Sequence, residues 1–438
     1  MALRASFRSS LRPQALARQC LAPTAVASPG FLFQARCQSS AVPNPDPAPG
    51  SPSAKAIAEN ESYMVATYAR PTPVFARGEG AWLYDVEDRK YLDFTAGIAV
   101  NSLGHCDPEF ASIIAEQSKT LVHASNLYHN PWTGALSKLL VEKTREAQCM
   151  PGLSSVFVCN SGSEANEAAL KFARKAGKVT DPSGAKVEIV AFRGGFHGRT
   201  MGSLSATCNP KYQEPFAPMV PGFRYGDIND VAAVDALVTP TTCGVIVEPI
   251  QGEGGINAAS EEFLVKLARR CKEVGAVLIY DEIQCGLSRT GTLWAHADLP
   301  KEAHPDILTT AKALGNGFPI GAVLVTQDVA DKMKVGDHGT TFGGNPWPAA
   351  SPTTLDGFEA LRARFPDLIS EVRGRGLILG LQLSQDPNPI IKAARERGLL
   401  VISAGSNTLR FVPSLLITEA EIKEGLRILG DAIAATRS

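Results

Sequence analysis

Short apolar runs that alternate with helical segments are the strongest structural signal in this chain. Four runs rich in β-branched residues occupy positions 154–159, 187–192, 243–250 and 276–282. Helices are expected among them over 163–177 and 261–274. This alternation predicts an α/β fold with a mostly parallel central sheet that is covered on both faces. Because ligands of such sheets bind at the carboxyl ends of the strands, the residues that follow each run are candidates for one common site.

Composition and motif content exclude several classes of function. The 438 residues carry a formal net charge of −1, which gives no electrostatic footprint for nucleic acid. We find no apolar stretch of about 20 residues that would predict a membrane span. The nine cysteines are odd in number and never form a C-x-x-C pair, so we expect reduced thiols, an intracellular compartment and no metal site. Neither G-x-G-x-x-G after the first strand nor G-x-x-x-x-G-K-[ST] is present, which disfavours nucleotide binding.

The amino terminus has a composition of its own. No acidic residue precedes Asp46, and the basic residues before it are Arg4, Arg8, Arg12, Arg18 and Arg36. This pattern is typical of a mitochondrial transit peptide, which we expect over residues 1–40 and which predicts the mitochondrial matrix. A disordered basic tail is the alternative. A Pro- and Ser-rich stretch follows, and we expect residues 41–55 to form a disordered leader.

Polar residues after the first two runs offer an anion site and an aromatic plate. Ser161 and Glu164 form an S-x-x-E capping box, and Gly162 lets the backbone approach a ligand closely. A helix start of this kind binds anions, although a plain helix cap explains the same pattern. After the second run, Phe196 offers a flat ring and Arg199 a guanidinium that can hold a carboxylate. Simple packing is the alternative for the phenylalanine.

Two acidic residues follow the later runs. Glu253 lies in the glycine-flanked turn QGEGGI, where a solvated loop acid is the simpler interpretation. Asp281 closes an almost entirely apolar strand, and a buried carboxylate requires a charged or hydrogen-bonding partner. Asp281 is therefore the stronger functional candidate.

Lys312 is isolated in the apolar, glycine-rich stretch LTTAKALGNGFPIGA. A snorkelling surface lysine is the ordinary interpretation, but a desolvated lysine can lose its proton and attack a carbonyl. Lys312, an anion-binding helix start, an aromatic plate and Asp281 are together the groups that pyridoxal phosphate requires. The lysine would bind the cofactor covalently, the helix start would hold the phosphate, and Asp281 would keep the pyridine nitrogen protonated. The released Lys312 amine would then act as the general base.

The sequence from about Tyr63 to the carboxyl terminus resembles the class III pyridoxal-phosphate aminotransferases of fold type I. The motifs that carry this resemblance are TYARPTPVFARGEGAWLYDVEDRKYLDFTAGIAVNSLGH, NSGSEANEAALKFAR, FRGGFHGRT, EPIQGEGGI, YDEIQCGLSRTG, TTAKALGNGFPIGA, GTTFGGNP and LRFVPSLLIT. The resemblance implies a large cofactor domain over 107–344. It also implies a smaller α+β domain built from both chain ends, 56–106 and 345–438.

The resemblance also implies the cofactor contacts. It assigns the covalent bond to Lys312 and the pyridine nitrogen to Asp281. Further contacts are implied for the backbone of Gly162 and Ser163 at the phosphate, for Phe196 on the ring face, for Gln284 near the ring hydroxyl, and for Thr341 at the phosphate in a neighbouring subunit. A homodimer with shared active sites follows from the last contact.

The substrate residues implied by the resemblance are Arg199, Glu253, Thr340 and Arg410. Arg199 would bind the α-carboxylate of the amino donor and later the distal carboxylate of the 2-oxo acid. Arg410 would bind the other carboxylate of that acid, and Glu253 would mask the charge of Arg410 when no carboxylate is present.

The implied reaction is amino transfer between N2-acetyl-L-ornithine and 2-oxoglutarate, which gives N-acetyl-L-glutamate 5-semialdehyde and L-glutamate in arginine biosynthesis. Transfer from ornithine or 4-aminobutyrate would use the same cofactor residues and stays open, as does a non-catalytic relic of the fold. Two departures from the family pattern are visible: Asp107 stands where histidine is usual and Cys285 where threonine is common. We interpret both as packing variation.

Overall fold

The computed structural model describes residues 43–344, 365 and 367–437, and these belong to one compact unit. The predicted transit peptide at 1–40 lies outside the described residues. Within the described part, no helix is long and apolar enough to cross a membrane, and no group of three or more His, Cys, Asp or Glu side chains forms a candidate metal site.

A seven-stranded sheet forms the centre of the molecule. In order across the sheet, its strands are Leu153–Cys159, Gly321–Thr326, Ile307–Thr310, Val277–Asp281, Thr242–Val247, Glu188–Phe192 and Phe223–Gly226. Gly321–Thr326 runs antiparallel to both of its neighbours, and all other pairs are parallel. The prediction of a mostly parallel sheet is therefore confirmed. All four predicted runs form strands of this sheet, although the third ends at Val247.

Apolar side chains cover both faces of this sheet, which explains why its strands are apolar almost throughout. Ile189, on one face, packs in the same core cluster as the helix Gly162–Thr180, whereas its neighbour Val190 packs with the helix Glu261–Val274 on the other face. Successive residues of a strand point to opposite faces, so a strand between two helical layers must be apolar at every position.

Helices surround the sheets and contribute both covering layers. The α-helices of the described residues are Pro52–Tyr63, Ala96–Ala99, Pro108–Thr120, Pro131–Glu146, Gly162–Thr180, Met201–Ala206, Pro210–Gln213, Val234–Leu237, Glu261–Val274, Gln327–Lys332, Asn388–Glu396 and Glu419–Ala435. Short 3₁₀ helices span Glu214–Phe216, Lys301–Ala303 and Lys312–Leu314. The predicted helix over 261–274 has the predicted limits, and the one over 163–177 extends further at both ends.

Three smaller sheets complete the fold. One contains the strands Phe75–Glu79, Trp82–Asp85, Lys90–Asp93 and Leu399–Leu400; a second contains Ile369–Arg375, Ile378–Leu383, Thr408–Phe411 and Ile402–Ala404; and the third pairs Ile250–Gln251 with Asn257–Ala258. Leu399–Leu400 pairs in parallel with Lys90–Asp93, so residues near both chain ends share one sheet. The domain limits at 106/107 and 344/345 stay predictions.

The structure differs from the predicted disordered leader over residues 43–55. The backbone N–H of Asn44 donates to the carbonyl of Glu396 at 2.8 Å, and its side chain donates to the carbonyl of Lys90 at 3.2 Å. A helix then begins at Pro52, with the Ser51 side chain accepting a hydrogen bond at the amino end. Contacts with distant parts of the chain order this segment, and its local composition gives no sign of them.

Candidate active site

A cavity of about 330 Å³ lies at the carboxyl ends of the central strands. Its walls come from Val100 and from residues 160–163, 196–198, 248, 281, 283, 284, 311, 312 and 317–320. Residues at or just after the ends of five different strands thus meet in one place. This is the position that a parallel sheet gives to a ligand.

Asp281 forms the floor of the cavity and is 3% exposed. Its Oδ2 accepts hydrogen bonds from His197 Nδ1 and Asn166 Nδ2, each at 2.8 Å. Oδ1 accepts from the backbone N–H of Ile283 at 3.1 Å, and Thr309 Oγ1 donates to the amide oxygen of Asn166 at 2.9 Å. The buried carboxylate therefore has the donors that it requires, and these donors fix its orientation.

His197 and Glu248 complete the charge arrangement around this floor. Burial by itself lowers the pKa of His197, but the hydrogen bond and charge of Asp281 outweigh it, and the pKa is raised. Glu248 is 4% exposed and accepts hydrogen bonds from the backbone N–H groups of Phe196 at 2.8 Å and Gly252 at 3.1 Å. Burial and the negative charge of Asp281 raise the pKa of Glu248. The floor of the cavity thus contains two carboxyl groups, those of Asp281 and Glu248, and the imidazole of His197.

Lys312 lines the same cavity, at the start of a short 3₁₀ turn. Its backbone has φ of 41°, a left-handed conformation that is uncommon for a long side chain and is found at functional sites. Among the described residues, its amine has no hydrogen-bond or ion-pair partner. Burial lowers the pKa of this amine to about 8, and the positive charge of Arg410 acts in the same direction. The amine is therefore free to react, and its neutral form is accessible near neutral pH.

The start of helix Gly162–Thr180 forms another wall. Ser161 Oγ accepts from the backbone N–H of Glu164 at 3.1 Å, as predicted, but the Glu164 carboxylate bonds to the backbone N–H of Asn160 at 3.0 Å. The predicted reciprocal capping box is therefore only half formed, because Glu164 reaches one residue further than the box requires. The backbone N–H groups of Gly162 and Ser163 have no partner in the described part of the chain. These N–H groups can donate hydrogen bonds to an anion that binds at the amino end of the helix.

The loop after strand Glu188–Phe192 brings Phe196 to the cavity and Arg199 beside it. Gly198 must be glycine here, because a Cβ at this position would lie 2.3 Å from Ser163 Oγ and its φ is 134°. Arg199 is exposed, and its guanidinium carbon lies 3.8 Å from the ring centroid of Tyr212. Within the described residues, no carboxylate pairs with this guanidinium.

Arg410 and Glu253 form an ion pair with an N–O distance of 2.9 Å. Arg410 is 2% exposed, whereas the Glu253 side chain is 36% exposed. Arg410 also donates to the carbonyl of Gly252 at 2.9 Å and to Gln284 Oε1 at 3.3 Å, while its buried Nε has no partner. The structure thus brings together Glu253, Gln284 and Arg410, and it contains the Glu253–Arg410 pair that the family resemblance implied.

Thr340 and Thr341 occupy different environments. The Asn160 side-chain amide donates to Thr340 Oγ1 at 2.8 Å, and Thr340 Oγ1 donates to Glu164 at 3.3 Å. Thr340 therefore contacts the helix start, and its predicted role in substrate binding stays a prediction. Thr341 is exposed on the surface of this chain.

The two departures from the family pattern have local explanations. Asp107 caps the helix Pro108–Thr120 by accepting from the backbone N–H of Phe110 at 2.8 Å, so it is a helix cap and not the packing variation that was expected. Cys285 is 1% exposed and belongs to an apolar cluster, as expected of packing variation.

The sequence analysis gave no role to Glu248, His197, Asn166 or Thr309. Glu248 could have been identified, because it ends an apolar strand region just as Asp281 does. The partners of Asp281 carry no comparable local signal, since they lie on other strands and helices.

These residues fit pyridoxal phosphate. The cavity offers an unpartnered lysine amine, a buried carboxylate with fixed geometry, an aromatic ring, and free N–H groups at a helix start. They match the carbonyl, the pyridine nitrogen, the ring face and the phosphate of that cofactor.

Comparison with known proteins gives concordant results. The family model described as aminotransferase class-III matches residues 64–359 and 350–433. The mitochondrial acetylornithine aminotransferase of Neurospora crassa is 64% identical over 455 aligned positions, which cover 98% of this chain and 99% of the relative. Because the alignment is longer than the chain, that relative has residues without a counterpart here.

Solved structures agree in fold. The N-acetylornithine aminotransferase of Stenotrophomonas maltophilia is 37% identical, with a TM-score of 0.71, and the match covers 87% of this chain and 99% of that one. An ornithine aminotransferase of Toxoplasma gondii, which has pyridoxal phosphate at partial occupancy in its active site, is 32% identical with a TM-score of 0.76. That match covers 87% of this chain and 94% of the other.

Proposed function

Because the chain belongs to the class-III aminotransferases, a pyridoxal-phosphate-dependent family, we propose that it transfers the terminal amino group of N2-acetyl-L-ornithine to 2-oxoglutarate. The products are N-acetyl-L-glutamate 5-semialdehyde and L-glutamate, and the step belongs to arginine biosynthesis. The name of the Neurospora crassa relative and the arginine-rich amino terminus together support a mitochondrial matrix location. The observation that supports this proposal most strongly is the cavity that contains Lys312 and Asp281, with Arg410 beside it, bonded to the lining residue Gln284 and paired with Glu253.

Pyridoxal phosphate would be held by residues of the cavity wall. Lys312 would bind it covalently, Asp281 would face the pyridine nitrogen, and Gln284 would lie near the ring hydroxyl. Phe196 would cover one face of the ring, and the N–H groups of Gly162 and Ser163 would bind the phosphate. When bound, the cofactor supplies a carbonyl for amines and an electron sink for the carbanion.

The protein moves the proton and holds the charges. Lys312 Nζ would take a proton from the substrate carbon that bears the amino group, as a general base, and would then give this proton up as a general acid. The lowered pKa of Lys312 suits both steps, because the neutral and the charged form of the amine are both accessible near neutral pH. The anionic Asp281 is kept in place by His197 and Asn166, whose donors leave it oriented toward the cavity.

Two arginines would bind the substrate carboxylates. Arg199 would take the α-carboxylate of acetylornithine and, in the second half-reaction, the distal carboxylate of 2-oxoglutarate. Arg410 would take the other carboxylate of 2-oxoglutarate after Glu253 has moved away. The observed Glu253–Arg410 pair corresponds to the state that receives acetylornithine, whose reacting end has no carboxylate.

Small-molecule substrates follow from the family, and a homodimer with shared sites is our proposal. Exposed Thr341 would bind the phosphate in a neighbouring subunit. Thr340, which bonds to Asn160 and Glu164, would hold this segment beside the helix start and so act on the substrate site indirectly.

Amino transfer from ornithine or 4-aminobutyrate is the alternative activity. The fold does not discriminate, since ornithine enzymes match with TM-scores as high as the acetylornithine enzyme does. Sequence identity favours acetylornithine.

A donor comparison tests the proposal. Purified enzyme with 2-oxoglutarate is given N-acetylornithine, ornithine or 4-aminobutyrate in separate reactions, and glutamate is measured. We expect the highest kcat/KM with N-acetylornithine. A higher value with either other donor would overturn the substrate assignment, and no glutamate with any donor would overturn the activity.

A further inference from the structure

Arg199 and Tyr212 form a stacked pair beside the cavity. The guanidinium carbon of Arg199 lies 3.8 Å from the ring centroid of Tyr212 and 5.6 Å from that of Phe196. Arg199 is exposed and has no acidic partner among the described residues. Stacking on an aromatic ring holds the face of a guanidinium and leaves its N–H edge free for a planar anion.

Tyr212 is held in place by its neighbours along the chain. It belongs to the short helix Pro210–Gln213, and Asn209 caps that helix by accepting from the backbone N–H of Lys211 at 3.1 Å. Gln213 Nε2 donates to the carbonyls of Leu204 and Thr207, each at 3.0 Å, at the end of helix Met201–Ala206. The backbone that carries Tyr212 is therefore anchored to the helix Met201–Ala206, which begins two residues after Arg199.

The other end of that helix is anchored as well. Thr200 Oγ1 donates to Glu167 at 2.6 Å, and the backbone N–H of Arg199 donates to Ser163 Oγ at 3.3 Å. Arg199 and Tyr212 thus extend from fixed backbone on two sides and meet only through their side chains. Such a contact orients a side chain and is not required to hold the backbone.

Tyr212 also touches the aromatic wall of the cavity. Its ring meets the Phe196 ring edge to face, with centroids 6.4 Å apart and an interplanar angle of 87°. Phe196 lines the cavity. Tyr212 therefore sets the spacing between the cavity wall and the guanidinium.

We propose that Tyr212 is a positioning residue for substrate carboxylates, because its ring holds Arg199 with the N–H edge turned toward the substrate. The inference rests on the proposed function, in which Arg199 binds a carboxylate in each half-reaction. It extends that function by naming a residue that acts on specificity without touching the reacting atoms.

Substitutions of Tyr212 test the inference in the holoenzyme. For Tyr212→Leu we expect KM for both N-acetylornithine and 2-oxoglutarate to rise about three- to tenfold while kcat changes by less than about twofold. Tyr212→Phe keeps the ring and should leave both constants within about twofold of wild type. Calorimetry with glutarate, an unreactive dicarboxylate, should show weaker binding for Tyr212→Leu by a similar factor.

A second stacked pair provides a matched control. The guanidinium carbon of Arg77 lies 3.4 Å from the ring centroid of Tyr84, in the strands Phe75–Glu79 and Trp82–Asp85. Tyr84→Leu removes the same kind of contact away from the cavity and should change neither KM nor glutarate binding. If Tyr212→Leu lowers the melting temperature, Tyr212→Met retains more side-chain volume and serves the same comparison.

The Arg199→Lys variant separates the positioning role of Tyr212 from the carboxylate-binding role of Arg199. If Tyr212→Leu leaves KM and glutarate binding unchanged although Arg199→Lys weakens both, the positioning role is wrong and the proposed function stands. If Arg199→Lys itself has no effect, the carboxylate role of Arg199 is wrong. An equal effect of Tyr212→Leu in both backgrounds would also overturn positioning through Arg199.

Discussion

The two arginines proposed to bind carboxylates are prepared in opposite ways. Arg410 is 2% exposed and paired with Glu253, whereas Arg199 is exposed, unpaired within the described residues and stacked on Tyr212. A buried guanidinium requires a counter-charge because desolvation of an unpaired charge is costly. An exposed one is already solvated, and what it lacks is a fixed orientation.

The difference teaches how one cavity can accept two unlike substrates. A carboxylate that binds Arg410 would have to displace Glu253, so under the proposed function this position would discriminate between substrates with and without a carboxylate at the reacting end. A carboxylate that binds Arg199 would displace no side-chain carboxylate of the described residues, so this position would accept both substrates. We therefore expect variants near Arg410 to change substrate preference and variants near Arg199 to change affinity for both substrates.

The largest effect should come from Lys312 and Asp281, which would serve both half-reactions equally. Lys312→Ala should reduce turnover by at least about a thousandfold, because it removes both the covalent attachment and the general base. Asp281→Asn should impair turnover severely, since a neutral amide does not stabilise a protonated pyridine nitrogen. Steady-state rates with both substrates check this, with cofactor content and melting temperature as controls for folding. More than a trace of transamination by Lys312→Ala would contradict its role.

Glu253→Ala is the sharpest test of the difference between the arginines. Arg410 would then be available to carboxylates at all times, so 2-oxoglutarate should bind better and glutamate should compete better in the first half-reaction. The preference for acetylornithine over glutamate should fall by a factor that corresponds to about 1–3 kcal/mol. Stopped-flow measurement of the two half-reactions gives this preference.

The double variant Glu253→Ala, Arg410→Lys is the control for this prediction, and in it the effect should vanish. Equal changes for acetylornithine and glutamate in Glu253→Ala would mean that the pair does not set preference. The segment 68–73 would then be the next candidate.

The low pKa of Lys312 predicts a distinct chemical reactivity. An amine reacts in its neutral form, so labelling of Lys312 in cofactor-free protein should rise with pH through a midpoint of about 8, well below that of an ordinary lysine. Competitive acylation followed by mass spectrometry measures this, with exposed Lys138 as the internal reference. A midpoint equal to that of Lys138 would show that the cavity does not perturb the amine. In Arg410→Met the midpoint should move upward, because a nearby positive charge has been removed.

The smallest effect concerns Glu248 and stability. Its raised pKa means that the folded protein binds more protons than the unfolded chain between the ordinary carboxyl pKa and the raised value. Stability therefore falls as pH rises through this window. Relative to Glu248→Gln, wild type should lose on the order of 1 kcal/mol between pH 5 and about 7.5. Denaturant unfolding at several pH values measures the free energy of unfolding of both proteins. If wild type instead gains stability relative to Glu248→Gln as pH rises, the pKa of Glu248 is not raised.

The amino-acid sequence was sufficient to predict the central sheet and to select Lys312 and Asp281, which the structure places in the cavity. Strands buried on both faces are apolar at every position, so the runs at 154–159, 187–192 and 276–282 were visible without any tertiary information. Lys312 and Asp281 were visible for the same reason, because a charged residue in such a context conflicts with its neighbours. The helix over 261–274 was located by its local pattern.

The contacts between these residues follow from the tertiary structure. Nothing near Asp281 in sequence indicates that His197 and Asn166 bond to it, because those contacts depend on which strands are neighbours in the sheet. The ion pair of Glu253 with Arg410 joins distant segments, and the sequence offered it only through the family resemblance. The stack of Arg199 on Tyr212 depends on how the connection between the strands Glu188–Phe192 and Phe223–Gly226 folds back on itself. Local composition indicates that a charged residue within an apolar run is buried. It does not report what the residue faces, since that depends on strand order and on the folding of distant segments against one another.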